Sequence, residues 1–157
     1  MRNQPHAQNA SASNSEVRSQ HVRDVMRRDF ITISQGESLL EALQLMRLAR
    51  LRHLTIENEG LLVGVLSYRD LQDKLLARLD PAARLQEAAA AGRAQAVEHL
   101  TGSAYSIAPE ATLAEAASRL ERLRVGCLPV VELAAEGLRV VGLLTEMDLL
   151  RAAFGTS

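Results

Sequence analysis

Apolar and polar positions follow two rhythms along this chain, and the same order of rhythms occurs twice. The first occurrence opens with Phe30 to Ile33, a short apolar run that reads as a strand. Leu39, Leu43 and Met46 then recur at i, i+4 and i+7, which places them on one face of a helix. Two further apolar runs follow, Leu54 to Ile56 and Leu61 to Leu66, with Glu57-Asn58-Glu59-Gly60 between them as a turn. A second helix is expected to begin near Asp70. The second occurrence gives a strand at Tyr105 to Ile107, a stripe of Leu113, Ala117 and Leu120, and strands at Leu128 to Val131 and Leu138 to Leu144. Its last helix should start near Asp148.

The two halves align residue by residue. Ser38-Leu39-Leu40-Glu41-Ala42 matches Thr112-Leu113-Ala114-Glu115-Ala116 at an offset of 112 − 38 = 74, and Ile33, Met46, Leu51 and Leu54 fall on Ile107, Leu120, Val125 and Leu128. Gly64-Val65-Leu66-Ser67 matches Gly142-Leu143-Leu144-Thr145 at an offset of 142 − 64 = 78. The second copy therefore carries four extra residues near Glu132 to Gly137, expected as a longer hairpin turn. Both first helices open with S/T-x-x-E, Ser38 with Glu41 and Thr112 with Glu115, the spacing of a capping box.

Each copy thus reads as a βαββα unit, and neither is large enough to bury its sheet comfortably alone. Two units packed about a pseudo-twofold axis are the expected α+β architecture. By sequence the divisions are a polar, flexible tail over 1–20, a first repeat over 21–80, an Ala-rich helical connector over 81–96 and a second repeat over 97–157.

Composition narrows the possibilities. Apolar residues make up 47% of the 157 positions but aromatics only 3%, so Leu, Val, Ile and Ala must build the core. The 18 basic and 19 acidic residues nearly cancel, which argues against a nucleic-acid partner. The single cysteine, Cys127, allows no internal disulfide and no zinc-ligand spacing, and it fits a reducing cytoplasm as a core thiol. No apolar run approaches the ~18 residues of a membrane span, and the first residues lack the apolar core of a secretion signal. No phosphate-binding glycine loop and no nucleophile elbow is present, so no catalytic residues are expected.

The motif with chemical content is Gly64-Val65-Leu66-Ser67-Tyr68-Arg69-Asp70, repeated as Gly142-Leu143-Leu144-Thr145-Glu146-Met147-Asp148. A hydroxyl stands where a strand becomes a helix, and a carboxylate follows one turn on. Such a carboxylate can accept hydrogen bonds from the two hydroxyls of a ribose. The plainer alternative is that Ser67 and Thr145 are helix N-caps with an acid in the first turn.

With these motifs in place, the chain resembles a pair of cystathionine β-synthase (CBS) domains, a Bateman module. The resemblance rests on Val22-Arg23-Asp24-Val25-Met26 as opening segment, Arg52-His53-Leu54-Thr55-Ile56 and Leu128-Pro129-Val130-Val131 as strand signatures, and the two closing motifs. It covers about Val22 to Ala153 and implies a tandem CBS pair binding an adenine nucleotide or S-adenosylmethionine between the repeats. Carried over, Ser67, Asp70, Thr145 and Asp148 hold ribose. Ile31, Thr32, Ile33, Tyr105, Ser106 and Ile107 flank the base, and Arg52, His53 and Arg69 are phosphate candidates. The first copy departs in having Thr55 where the family has Pro. The second has Gly126-Cys127 and Met147 in place of Arg52-His53 and Arg69, so the two clefts should differ.

The function expected is a stand-alone, non-catalytic nucleotide sensor that needs no cofactor or metal and signals to a separate effector protein. A structural or dimerisation module without a ligand is the alternative. A homodimer is expected, formed through helices that carry Leu71, Leu75, Leu76, Leu149, Leu150 and Phe154.

Overall fold

The computed structural model of the chain describes residues 17–69, 71–72 and 105–155. In chain order the elements are α1 (Val22–Val25), β1 (Thr32–Ser34), α2 (Leu39–Leu48), β2 (His53–Asn58), β3 (Leu61–Ser67), α3 (Leu113–Leu123), β4 (Cys127–Ala134), β5 (Gly137–Thr145) and α4 (Glu146–Phe154). They fall into two compact units. One draws on the described residues of Ile31–Tyr105 and Leu133–Arg139, the other on those of Met1–Phe30, Ser106–Glu132 and Val140–Ser157. Asp70, Leu75, Leu76, the 81–96 connector and the opening of the second repeat at 97–101 lie outside the described residues.

In the first unit β1 runs parallel to β2, with Thr32 opposite Thr55 and Ile33 opposite Ile56, and β2 runs antiparallel to β3. The β2–β3 turn is only Glu59-Gly60, both at positive φ (52° and 81°), the pair of conformations that matches strand twist in a two-residue hairpin. The strands therefore run through Glu57 and Asn58, which the sequence assigned to the turn. Helix α2 starts at a complete capping box. The Glu41 N–H donates to Ser38 Oγ at 3.2 Å, and Glu41 Oε2 accepts the Ser38 N–H at 3.0 Å and its hydroxyl at 2.7 Å. These bonds, the one from the Ser38 backbone foremost, hold the Glu41 carboxyl below its ordinary pKa. The buried stripe of α2 is Leu39, Ala42 and Met46, with Leu43 at its margin, packed on Ile33, Leu54, Ile56, Leu66 and Leu71. Leu71 is 1% exposed, which removes it from any surface patch and corrects the expectation that it serves an interface.

The second unit repeats this plan. Ile107 bridges Val130 in parallel, the same pairing as Ile33 with Ile56 moved by 74 positions. Here the expected strand at Tyr105 to Ile107 shrinks to that one bridge. Ile107 donates to the Pro129 carbonyl and accepts from Val131, both at 2.9 Å. The next rung would need an N–H at residue 129, and proline has none. Helix α3 buries Leu113, Ala116 and Leu120, while Ala117, expected on that face, is exposed. Both helices close alike: Arg50 (φ 52°) and Arg124 (φ 55°) take the left-handed conformation, and Leu51 and Val125 return N–H bonds to Met46 and Leu120.

The four-residue insertion does not lengthen the turn. The second hairpin turns at Ala135-Glu136, and its strands have 8 and 9 residues against 6 and 7 in the first, so two residues are added to each. The extended tip, Leu133–Arg139, is counted with the first unit, where Arg139 pairs with Leu61.

The opening segment packs against second-repeat residues. Val22 and Arg23 donate to the carbonyls of Ala111 and Pro109, and Arg27 exchanges two 2.9 Å backbone bonds with Leu143 of β5. Gly142 permits this approach: a Cβ there would lie 2.6 Å from Met26 Sδ and 3.1 Å from the Arg27 carbonyl oxygen.

Candidate functional site at the strand to helix junction

β5 passes into α4 at Thr145, whose extended backbone makes it the N-cap. The Asp148 N–H donates to Thr145 Oγ1 at 3.3 Å, and Asp148 Oδ2 accepts both the Thr145 N–H (2.9 Å) and its hydroxyl (2.6 Å). The motif is thus a capping box like those that open α2 and α3, with Asp in the place of Glu. What sets it apart from the other two is burial. Asp148 is 5% exposed and is, with Thr55, one of the buried polar residues. Its second oxygen, Oδ1, faces Arg151 Nη1 at 3.5 Å.

Asp148 and Arg151 open onto a recess of about 360 Å³, shared with Gln20, Asp24, Val25 and Ala152. Arg151 escaped the sequence reading. Its signal was available, since an Arg three residues after an Asp on a helix can reach it, while the position 78 residues earlier is Asp73. The two copies therefore differ here as well.

In both copies the residue after the motif hydroxyl donates its N–H to the same place. Tyr68 bonds the Arg52 carbonyl at 2.8 Å, and Glu146 bonds the Gly126 carbonyl at 3.2 Å. His53 stands opposite Ser67 in the β2–β3 ladder. The structure thus brings Arg52 and His53 to the Ser67 end of the strand pair, with Arg69 exposed one residue past Tyr68. Asp70, the acid of this copy, lies outside the described residues.

Of the six residues assigned to the base, Ile33 and Ile107 have side chains 8% and 4% exposed, so only their main chain can meet a ligand. Ile31 is exposed, while Thr32, Tyr105 and Ser106 are half-buried. The Ile31 carbonyl accepts the Thr55 hydroxyl at 3.2 Å. Thr55 occupies the position of Pro129, which has no side-chain donor.

Cys127 is fully buried, and burial pushes its thiol from the ordinary 9.0 up to about 12. A thiol held so far from ionisation is a poor nucleophile at neutral pH. Among the described residues no group of three His, Cys, Asp or Glu side chains is placed to hold a metal ion. Also among them, no helix is long and apolar enough to cross a membrane.

The family model described as CBS domain matches twice, over residues 22–77 and 97–155. Protein MJ1225 from Methanocaldococcus jannaschii is 25% identical, with a TM-score of 0.75 over 91% of this chain and 51% of its own. The structure of CBSX2 in complex with AMP is 26% identical, with a TM-score of 0.68 over 86% of this chain and 96% of that one. A curated relative named homoserine O-acetyltransferase, from Methanohalobium evestigatum, is 26% identical over 132 residues. These cover 83% of this chain and 24% of the relative, so the chain spans about a quarter of the relative's length.

Proposed function

The chain belongs to the CBS domain family, and from that premise we propose that it is a regulatory module that binds an adenosyl ligand and catalyses nothing itself. The observation that carries this reading is the Thr145–Asp148 junction, where a nearly buried carboxylate, held on one side by the Thr145 hydroxyl, opens onto a polar recess. A carboxylate offers about four lone-pair sites, and Thr145 occupies only the Oδ2 side. The remaining capacity, on Oδ1 beside Arg151, suits the hydroxyls of a ribose. The AMP complex of CBSX2 supports the ligand class.

In this reading Thr145 and Asp148 hold one ribose, and Ser67 and Asp70 hold another. Main-chain groups of Ile31, Thr32, Ile33, Tyr105, Ser106 and Ile107 border the base. Arg52, His53 and Arg69 meet phosphate, a set the second copy lacks, so the copies bind unequally. Ligand shifts the population between two arrangements of the module, and a partner protein in the cytoplasm reads the shift. Titration calorimetry with AMP, ADP, ATP and S-adenosylmethionine tests it. Saturable binding of at least one is expected, with melting stabilised by about 2.7 kcal/mol at a hundredfold excess over Kd. If none binds, the reading fails.

One observation favours a role in assembly as well. Helices α3 and α4 leave between them an apolar groove of about 760 Å³, lined by Leu113, Ala117, Leu149, Leu150 and Ala153 among others, and Phe154 nearby is 76% exposed. A second copy of the chain would cover it. Light scattering should give a dimer at concentrations of about tens of micromolar, where micromolar association is populated. Leu150→Glu should give a monomer. A monomeric parent overturns this assignment.

A further inference from the structure

Away from that junction, Arg119 Nε is buried and has no hydrogen-bond partner among the described residues. Leaving a charged donor so unsatisfied is unfavourable, and such groups call for an acceptor. Arg119 lines a recess of about 510 Å³ together with Ile107, Ala108, Ala111, Ala114 and Arg122. Arg119 and Arg122 are three residues apart on α3 and so share a helix face. Among the described residues neither forms an ion pair.

The acid one turn before Arg119 on the same helix face is Glu115, also on the recess wall. Its Oε2 accepts the Thr112 N–H at 2.7 Å and the Thr112 hydroxyl at 2.9 Å, which holds the carboxylate toward the cap. These bonds also keep its pKa below the ordinary value, so it stays charged and capped rather than turning to Arg119. The small side chains of Ala108, Ala111 and Ala114 leave room before the guanidinium groups.

We propose that this recess is a second binding site, separate from the Thr145–Asp148 junction, that takes a small oxyanion of the phosphate class. Arg119 offers Nε and one terminal nitrogen as a two-pronged donor, the geometry that matches two oxygens of a phosphate, and Arg122 adds a second positive charge. Two guanidinium groups converging on one recess favour a phosphate dianion over a carboxylate.

The test is calorimetry on the full chain with inorganic phosphate, against acetate at matched ionic strength. Saturable phosphate binding is expected, tighter than acetate by tenfold or more. Arg119→Gln and Arg122→Gln should each weaken it at least tenfold. Arg119→Lys, which keeps the charge and loses the fork, should weaken it similarly. Where AMP binds the parent, Arg122→Gln should bind it unchanged. The proposal is overturned if phosphate does not saturate, if acetate binds as well, or if the Arg variants bind phosphate like the parent. Parallel loss of AMP and phosphate would assign the anion to the nucleotide site instead, and also overturns it. Circular dichroism checks folding; should Arg119→Gln not fold, the exposed Arg122 decides alone.

Discussion

The Thr145 hydroxyl lies 2.6 Å from Asp148 Oδ2, so the carboxylate proposed to grip ribose is also the one that closes the first turn of α4. Asp148→Asn should therefore act twice. Adenosyl ligand affinity at that site is expected to fall at least tenfold, since a hydrogen bond to a charged group contributes about 1.5–3 kcal/mol. The unliganded protein should also lose about 1 kcal/mol as the cap weakens. Calorimetry and denaturant melts on the same variant separate the two. Unchanged affinity with lowered stability would leave Asp148 a capping residue only.

Gly142 is expected to tolerate no side chain. Gly142→Ala should destabilise by about 1–3 kcal/mol, the cost of overpacking a filled site. In a double-mutant cycle Met26→Ala should recover part of the loss, because the sulfur is the nearest atom to the added Cβ. Strict additivity of the two changes would show that Met26 is not what the methyl meets.

Thr55→Val keeps the shape of a buried side chain and removes its bond to the Ile31 carbonyl. A loss of about 0.5–1.5 kcal/mol is expected in urea unfolding. Thr55→Pro should cost more, since it also deletes a backbone donor beside the β1–β2 ladder, as Pro129 does in the second repeat. A Pro variant as stable as the parent would contradict the explanation given for the single Ile107–Val130 bridge.

Cys127 should react with thiol reagents only after unfolding. Its folded pKa is raised from the ordinary 9.0 to about 12, so the folded state holds the proton more tightly than the unfolded one. The resulting stability is fully present below pH 9 and is lost as pH rises toward 12. Cys127→Ser, measured against the parent between pH 8 and pH 11, should remove that part of the alkaline decline. Rapid labelling of the native protein at pH 8 would contradict the burial.

Interactions within a few residues were legible before any coordinates. Ser38 with Glu41 and Thr112 with Glu115 are capping boxes because both partners lie in one turn. The 74-residue offset carried the pairing of Ile33 with Ile56 onto Ile107 with Val130. The candidate site was legible as a motif, but Asp148's burial was not, because burial depends on what packs around α4. The phase of the α3 stripe slipped by one residue, Ala116 for Ala117, since alanines at both positions carry little apolar signal. The insertion was read as turn because Glu132, Ala135 and Glu136 are weak strand formers. Ladder pairing along the extended hairpin outweighed that preference.

The bond between Arg27 and Leu143 also sets a timetable. The two residues are 116 positions apart, so on a ribosome adding ~5–20 residues per second the opening segment waits roughly 6–23 s for its strand to be made. During that interval Met26, buried against Gly142 in the finished molecule, has no β5 to cover it. Residues made late thus complete the packing of residues made early, and a nascent chain halted before Gly142 leaves Met26 and Arg27 without their strand partner.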